Sequence, residues 1–360
     1  MKKKKICILS AVNIKHMSMI SIYTELMKKH NIEYDIIYMD KYNEDETFKC
    51  RNKYRFVNKI DQKKPKIYKM IKYMKFYTYA THILNKNKYD FIIVWNDVAI
   101  FMFANYLSRN YKSKYCLNVR DNMWYEKRIF KSRYRKVFSS AAFNTISSKG
   151  YLDFLPKNEE YFPIHSLNLA ILDGMNRHKS LQAINKPIRI GFIGYVRFFE
   201  KNKKMLDVFA NDSRFELHYY GTKANILKKY AEERKIYNTV FYDSFPVEDT
   251  KKYLEKIDII NNLYGNETMN LQKAISIKFF HALYSRIPIL VCNNTYVGKL
   301  AQDIGIGYEV TVIDENMKEN LYKWYRGLEF QILEQQCEKF LMKTLKENMY
   351  FEAKALEYLK

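Results

Sequence analysis

Ile190-Gly191-Phe192-Ile193-Gly194-Tyr195 and Ser276-Ile277-Lys278-Phe279-Phe280-His281-Ala282-Leu283-Tyr284-Ser285-Arg286-Ile287-Pro288-Ile289-Leu290-Val291 are the stretches that decide how this chain folds. The first runs apolar residues into a glycine turn, and Arg197, Lys201, Lys203 and Lys204 follow it. It reads as a buried strand, a tight turn and a basic helix start, a geometry that suits a phosphate. In the second, Ile277, Phe280, Leu283 and Tyr284 fall on one helical face, Ser276 can cap the helix, and a strand from Ile287 to Cys292 follows. Lys278 stands in the first helical turn, where a cation opposes the helix dipole. A bound diphosphate would give it a reason, and a surface lysine tolerated at a cost of about 0.3–1 kcal/mol is the plain alternative.

Working outward, strand and helix signals alternate through both halves of the chain. The first half reads as strands at Ile6 to Val12, Tyr34 to Met39, Phe91 to Trp95, Tyr115 to Val119, Phe143 to Ile146 and Tyr161 to Ile164. Helices are expected over Met19 to His30, from Asp97 onward and around Tyr125 to Phe138, with Asp97 as an N-cap. The second half reads as strands at Ile188 to Ile193, Phe215 to Tyr220, Val240 to Tyr242, Ile257 to Asn261, Ile287 to Cys292 and Tyr308 to Val312. Met205, Leu206, Val208 and Phe209 form the apolar face of one intervening helix, and Ile226, Leu227 and Tyr230 that of another. Residues 40–64 are polar and lack periodicity, so they read as an irregular excursion, and Leu169 to Pro187 reads as a linker. The expectation is an α/β chain of two domains, 1–175 and 186–330, with helices over 331–360. Two open parallel sheets offer ligands the carboxyl ends of their strands, so functional residues should lie in loops after strands.

Composition narrows the partners. The 360 residues and the apolar share of 48% suffice for two cores, which argues against a single small binding module. The formal charge of +23 points to nucleic acid, anionic head groups or phosphorylated substrates. The stretch Lys66-Ile67-Tyr68-Lys69-Met70-Ile71-Lys72-Tyr73-Met74-Lys75-Phe76-Tyr77 reads as a helix whose stripe Ile67, Met70, Ile71 and Met74 packs on a core while its lysines reach outward. Contact with a membrane surface or with nucleic acid are its alternatives. No zinc-finger spacing or aromatic RNA-binding signature accompanies it. Cys7, Cys50, Cys116, Cys292 and Cys337 are scattered singly, as expected of a reducing cytoplasm. Lys2 to Lys5 with Ile6-Cys7-Ile8-Leu9 imitates a signal peptide but reads better as the first buried strand, and Phe91 to Leu107 is interrupted by Asn96 and Asp97 and so does not read as a membrane span.

The second half resembles the nucleotide-sugar domain of a GT-B glycosyltransferase of the family 4 type. The likeness rests on Gly191 and Gly194, on Tyr219-Tyr220-Gly221, on Phe245 in the turn Asp243-Ser244-Phe245-Pro246, on Asp258 and on the Lys278 helix with its exit Ser285-Arg286-Ile287-Pro288. It is good over about residues 188 to 312 and only architectural before that. The resemblance implies two Rossmann-like domains facing across a cleft, with C-terminal helices crossing back toward the first. It implies that Arg197, Lys201 and Lys278 stabilise the leaving diphosphate, and that Gly194, Gly221, Phe245, Glu267, Lys273 and His281 surround the donor. His16, Arg120 and Asp121, in loops after strands of the first domain, become candidates for the acceptor. The family usually carries two glutamates, one toward the sugar and one on the ribose, and here Lys273 and His281 take those positions. Glu267 could replace one of them if its loop folds back.

The function expected from this resemblance is transfer of a sugar from a nucleotide diphosphate donor to a cell-surface glycan or lipid-linked acceptor. Configuration would be retained with no metal and no cofactor beyond the donor, and the enzyme would sit at the cytoplasmic face of an anionic membrane. A catalytically silent binding partner of the same fold is the alternative, and a basic nucleic-acid-binding protein is a more distant one. Glu44-Asp45-Glu46 lies in the polar excursion, and no Asp-x-Asp ends an apolar strand.

Overall fold

Nearly continuous apolar runs make strands that are buried on both faces, and such strands assemble as parallel sheets with helical crossovers. The computed structural model describes residues 3–17, 19–61 and 64–360. The chain divides into two units, Met1–His165 with Lys346–Lys360, and Ser166–Leu345. Lys2 lies outside the described residues.

The first unit runs β1 (Ile6–Ser10), α1 (Ser21–Lys29), β2 (Tyr34–Asp40), β3 (Lys53–Val57), α2 (Lys66–Asn87), β4 (Phe91–Trp95), α3 (Asp97–Asn110), β5 (Tyr115–Val119), α4 (Lys131–Ser139), β6 (Phe143–Ile146) and β7 (Tyr161–Pro163). All seven strands are parallel, in the order β3-β2-β1-β4-β5-β6-β7. Strand order reverses beside β1, which pairs with both β2 and β4. Strand β3 corrects the expected irregular stretch. Lys53-Tyr54-Arg55-Phe56-Val57 is a half-exposed edge strand whose charges Arg55 and Lys53 are held by Asp40 and Asp45, with Arg51 just ahead of it on Asp35.

The second unit runs α5 (Leu169–Leu172), β8 (Ile188–Ile193), α6 (Phe199–Val208), β9 (Phe215–Tyr220), α7 (Ala224–Glu233), β10 (Thr239–Tyr242), α8 (Thr250–Leu254), β11 (Ile259–Asn262), α9 (Met269–Lys273), α10 (Ile277–Ser285), β12 (Ile289–Cys292), α11 (Tyr296–Asp303), β13 (Gly307–Val310), α12 (Glu315–Arg326) and α13 (Phe330–Leu359). Helix α13 is counted with the second unit up to Leu345 and with the first from Lys346. The sheet is again wholly parallel, in the order β10-β9-β8-β11-β12-β13. The division between units falls ahead of the expected linker, because Leu167, Leu172 and Met175 pack into the second core with Ile257, Phe279 and Leu283.

Helical faces follow the sequence with two exceptions in this unit. Met205, Leu206 and Phe209 are buried as expected, whereas Ile226 faces solvent and Leu227 and Ala231 bury α7. In α10 the first residue, Ile277, is partly exposed, and Phe279, Phe280, Ala282 and Leu283 make the core. Arg286 ends that helix in the left-handed conformation that usually selects glycine. Its guanidinium bonds Glu334 and Glu338 of α13, which offsets the backbone cost of about 1 kcal/mol. Among the described residues no helix is long and apolar enough to cross a membrane.

Candidate functional site

In open parallel sheets the ligand position is the carboxyl end of the strands where strand order reverses. In the second unit this is the gap between β8 and β11. Gly194 leaves β8 at φ 112°, and its N–H donates to Tyr220 O at 2.8 Å. Gly221 leaves β9 at φ 138°, and a Cβ there would lie 2.0 Å from Gly194 O. The two turns are therefore nested backbone to backbone, and only glycine fits the second. Gly221→Ala should cost more than about 3 kcal/mol, combining a strained backbone with a fixed overlap, while Gly194→Ala, with open space around its Cβ, should cost about 1–2 kcal/mol. Denaturant midpoints of the two variants check this order.

Lys278 is the central finding. It lies two residues into α10, where Ser276 Oγ accepts the Lys278 N–H at 3.1 Å and itself donates to Asn262 Oδ1 at 2.7 Å. Only 2% of Lys278 is exposed, so it is not the surface lysine that spacing alone allowed. Its ammonium donates to Asn261 O at 2.9 Å, lies 3.0 Å from the centroid of the Phe192 ring and 5.0 Å from that of Tyr264. Among the described residues no carboxylate pairs with it. Burial, and secondarily the charge of Arg197, hold its pKa well below the usual lysine value. The ring quadrupoles give this cation a partial substitute for a counterion, and an arriving anion would complete the compensation.

A buried amide network ties Lys278 to the glycine turn. Asn261, whose carbonyl takes the ammonium, donates from Nδ2 to Asn202 Oδ1 at 3.3 Å. Asn202 in turn donates to Arg197 O at 2.8 Å and Phe198 O at 3.1 Å. Phe198 sits at φ 56° as the N-cap of α6, a strained conformation held by this network. The Arg197 side chain is exposed, with its guanidinium 5.8 Å from the Tyr264 ring centroid and 5.7 Å from that of Phe198. Burial pushes the Tyr264 phenol up to about 12.

The loop after β11 folds back. Gly265 at φ 98° donates its N–H to Cys292 Sγ at 3.1 Å, and Asn266 Nδ2 donates to Asn293 O at 3.0 Å. This delivers Glu267 to Lys201, with 2.8 Å between carboxylate and ammonium. Hydrogen bonding with Lys201 lowers the Glu267 pKa. His281, one turn after Lys278, is buried, and burial together with the charge of Lys278 pushes its imidazole down to about 4. It is neutral at pH 7.

The structure thus brings Gly194, Arg197, Lys201, Glu267, Lys278 and His281 to one end of the β8–β11 pair, with Gly221 against Gly194. Phe245 packs instead on Tyr253, with ring centroids 4.3 Å apart, and Lys273 ends α9 half-buried. Sequence reasoning missed Phe192, Tyr264, Asn202, Asn261 and Asn262. The signal available was a pair of asparagines closing the apolar strand Ile259-Ile260-Asn261-Asn262.

In the first unit His16 is exposed in a short turn after β1, with its ring against Tyr42 at 5.5 Å. Arg120 and Asp121 form the loop after β5, and the Arg120 guanidinium lies 5.6 Å from the Trp95 ring centroid. Asp97 is not the expected N-cap. Asn96, at φ 74°, caps α3 by accepting the Ala99 N–H at 3.0 Å. Asp97 is buried and accepts the N–H groups of Arg120 at 3.1 Å and Asp121 at 2.9 Å and the Tyr125 hydroxyl at 2.6 Å. Burial pushes its carboxyl up to about 7. Glu46, from the acidic run, accepts the Ile14 and Lys15 N–H groups of the loop after β1 at 2.9 and 2.6 Å.

No known family model matches this sequence, and no curated protein matches it. Solved structures are similar along the whole chain. A sucrose-phosphate synthase from Thermosynechococcus elongatus is 11% identical, with a TM-score of 0.68 over 98% of this chain and 99% of that one. A glycosyltransferase from Rickettsia africae is 11% identical, with a TM-score of 0.68 over 100% of this chain and 98% of its own. The Anabaena protein HepE, crystallised in complex with UDP and glucose, is 10% identical, with a TM-score of 0.62 over 98% and 99%. At these identities the likeness is one of fold. The chain has the fold of the GT-B glycosyltransferases, two Rossmann-like domains each built on a parallel sheet.

Proposed function

We propose that this protein is a glycosyltransferase that moves a sugar from a nucleotide diphosphate donor to a cell-surface glycan precursor. The observation that carries the reading is Lys278, a buried cation with no acidic partner among the described residues, at the strand ends where this fold takes ligands. A buried lysine in that state raises the energy of the empty site, and a diphosphate relieves it. In this reading Lys278 and Arg197 take the charge that develops on the diphosphate as the glycosidic bond breaks, together with backbone N–H groups of the Gly194 turn. Lys201 is shared between the diphosphate and Glu267, which leaves Glu267 an acceptor for a sugar hydroxyl. His281, neutral, offers one acceptor to the ribose. The acceptor hydroxyl attacks on the face the leaving group departs from, so configuration is retained, and the protein's own cations replace a metal ion. His16, Arg120 and Asp121 are assigned to the acceptor, and the protein is placed at the cytoplasmic face of a membrane.

The donor assignment has a direct test. In a thermal-shift panel of nucleotides and nucleotide sugars, one donor should raise the unfolding temperature, since a ligand at a hundred times its Kd adds about 2.7 kcal/mol of stability. The same donor should slowly release nucleoside diphosphate when incubated with the protein. Lys273 and His281, standing where the resembled family carries carboxylates, favour a second reading, a silent binding protein of this fold. Donor binding without any release of nucleoside diphosphate, with or without glycan acceptors, would select it.

A further inference from the structure

Helix α2 is turned the opposite way from what its pattern suggested. Ile67, Met70, Ile71 and Met74 are 64%, 58%, 52% and 56% exposed, while Phe76, Ala80, Ile83 and Leu84 face the core. An aliphatic stripe two turns long therefore stands in solvent. The helix and its approach, from residue 62 to residue 89, contain no Asp or Glu, although Lys69, Lys72 and Lys75 stand among the apolar positions. Surface helices of water-soluble proteins usually offset such cations with acidic neighbours one turn away.

A second patch stands nearby. The expected helix over Tyr125 to Phe138 begins only at Lys131, and the preceding segment carries an apolar tip in a basic setting. Ile129 is 82% exposed and Trp124 45% exposed, with Lys127, Arg128 and Lys131 around them. Trp124 stacks on Phe130 at 5.8 Å, and Phe101 of α3 closes edge-on against both at 5.5 and 4.9 Å. The two patches meet through α3. Phe103 stacks on Tyr77 of α2 at 5.2 Å, and Arg133 lies 4.6 Å from the Phe101 ring centroid. Helices α2, α3 and α4 all belong to crossovers running in the same direction along the sheet, so right-handed connections place them in one layer. The exposed residues lie toward the amino ends of α2 and α4, the end of the sheet where its strands finish.

We propose that this face, the outer stripe of α2 together with the Trp124–Lys131 tip, docks on an anionic lipid surface. Exposed aliphatic side chains and an interfacial tryptophan enter the head-group boundary, and the surrounding lysines and arginines meet lipid phosphates. Charge selects this occupant over a second copy of the chain, since a self-contact would place like-charged lysines together. Chemistry selects it over nucleic acid, because Ile67, Met70, Ile71, Met74 and Ile129, five of the six exposed apolar side chains named on this face, are aliphatic or thioether and give bases no stacking platform. The consequence, which rests on the glycosyltransferase reading, is an acceptor carried on lipid.

Sedimentation with vesicles at physiological salt tests the proposal without donor, so its failure leaves the donor reading standing. The parent should bind phosphatidylglycerol–phosphatidylcholine vesicles at least tenfold more tightly than pure phosphatidylcholine. Trp124 emission should shift to the blue, and the shift should be absent in Trp124→Phe. Ile71→Asp/Met74→Asp and Ile129→Asp, all at exposed positions, should keep the parent's circular dichroism and lose at least tenfold in binding, and Lys72→Ala or Lys75→Ala should each lose roughly fivefold. Equal binding to both vesicle types, variants that bind like the parent, or a parent that forms dimers abolished by Ile71→Asp instead of sedimenting would each overturn the proposal.

Discussion

Lys278→Met is expected to make the empty protein more stable and at the same time to weaken its binding of nucleoside diphosphates. The side chain is nine-tenths buried or more, touches Phe192 and Tyr264, and among the described residues has one carbonyl and no carboxylate as partner. Replacing such a cation by an apolar side chain of similar length ends the desolvation cost, the same cost whose removal makes apolar replacements of buried ion pairs neutral or stabilising by up to about 4 kcal/mol. A diphosphate that has lost one charged hydrogen bond should bind more weakly by about 1.5–3 kcal/mol, or roughly ten- to a hundredfold. A lysine with no part in donor binding would leave the affinity unchanged. Its depressed pKa also sets a pH trend. The unfolded chain holds the proton up to the usual lysine value while the folded chain loses it earlier, so stability rises with pH from the depressed value up to the usual one. Lys278→Met should flatten that rise, as chemical denaturation across alkaline pH would show.

Asp97 carries the second large effect. Asp97→Ala strips acceptors from two backbone N–H groups and the Tyr125 hydroxyl inside the first unit, at about 1–3 kcal/mol for each buried orphan. A loss of about 3–6 kcal/mol is expected, with the Arg120-Asp121 loop released. Asp97→Asn keeps an acceptor for both N–H groups and should cost far less. The two variants also differ in pH response. With the folded carboxyl pushed up to about 7 and the unfolded one near the usual 3.8, the folded state binds the extra proton between those values, so this group lowers stability as pH rises from about 4 to 7 and has no further effect above. Asp97→Asn should remove that slope. Denaturant midpoints at pH 5 and pH 8 for the three proteins decide the matter, and equal stability of Asp97→Ala and the parent would contradict the assignment.

Both sheets were readable because their strands are buried on both faces, so that Ile6–Ser10 or Phe91–Trp95 leaves little choice of conformation. Strand β3 escaped because an edge strand needs only half a face, and Lys53 and Arg55 make it look like loop. Helix α2 was misread for a related reason. It has one apolar stripe at Ile67 to Met74 and another at Phe76 to Leu84, and periodicity does not say which of the two the sheet accepts. The places of Arg197 and Lys201 after a glycine turn and of Lys278 in the first turn of a helix were legible from the sequence. Their partners were not, since the Lys201–Glu267 pair and the Lys278–Asn261–Asn202 chain join segments that only the β8–β11 crossover brings together. Asn96 and Asp97 are adjacent potential caps, and which of them caps was decided by the hydrogen bonds that the β5 loop demands of Asp97.

The claim that Lys278 holds a donor diphosphate is tested most directly by calorimetric titration of the parent protein with uridine and guanosine diphosphates, in two buffers of different ionisation enthalpy at the same alkaline pH. The account predicts that one of them binds and that binding takes up protons, because the anion favours the charged form of a lysine whose pKa burial lowers, and that Lys278→Met loses both the affinity and the uptake. Binding with no proton uptake and unchanged affinity in Lys278→Met would contradict it.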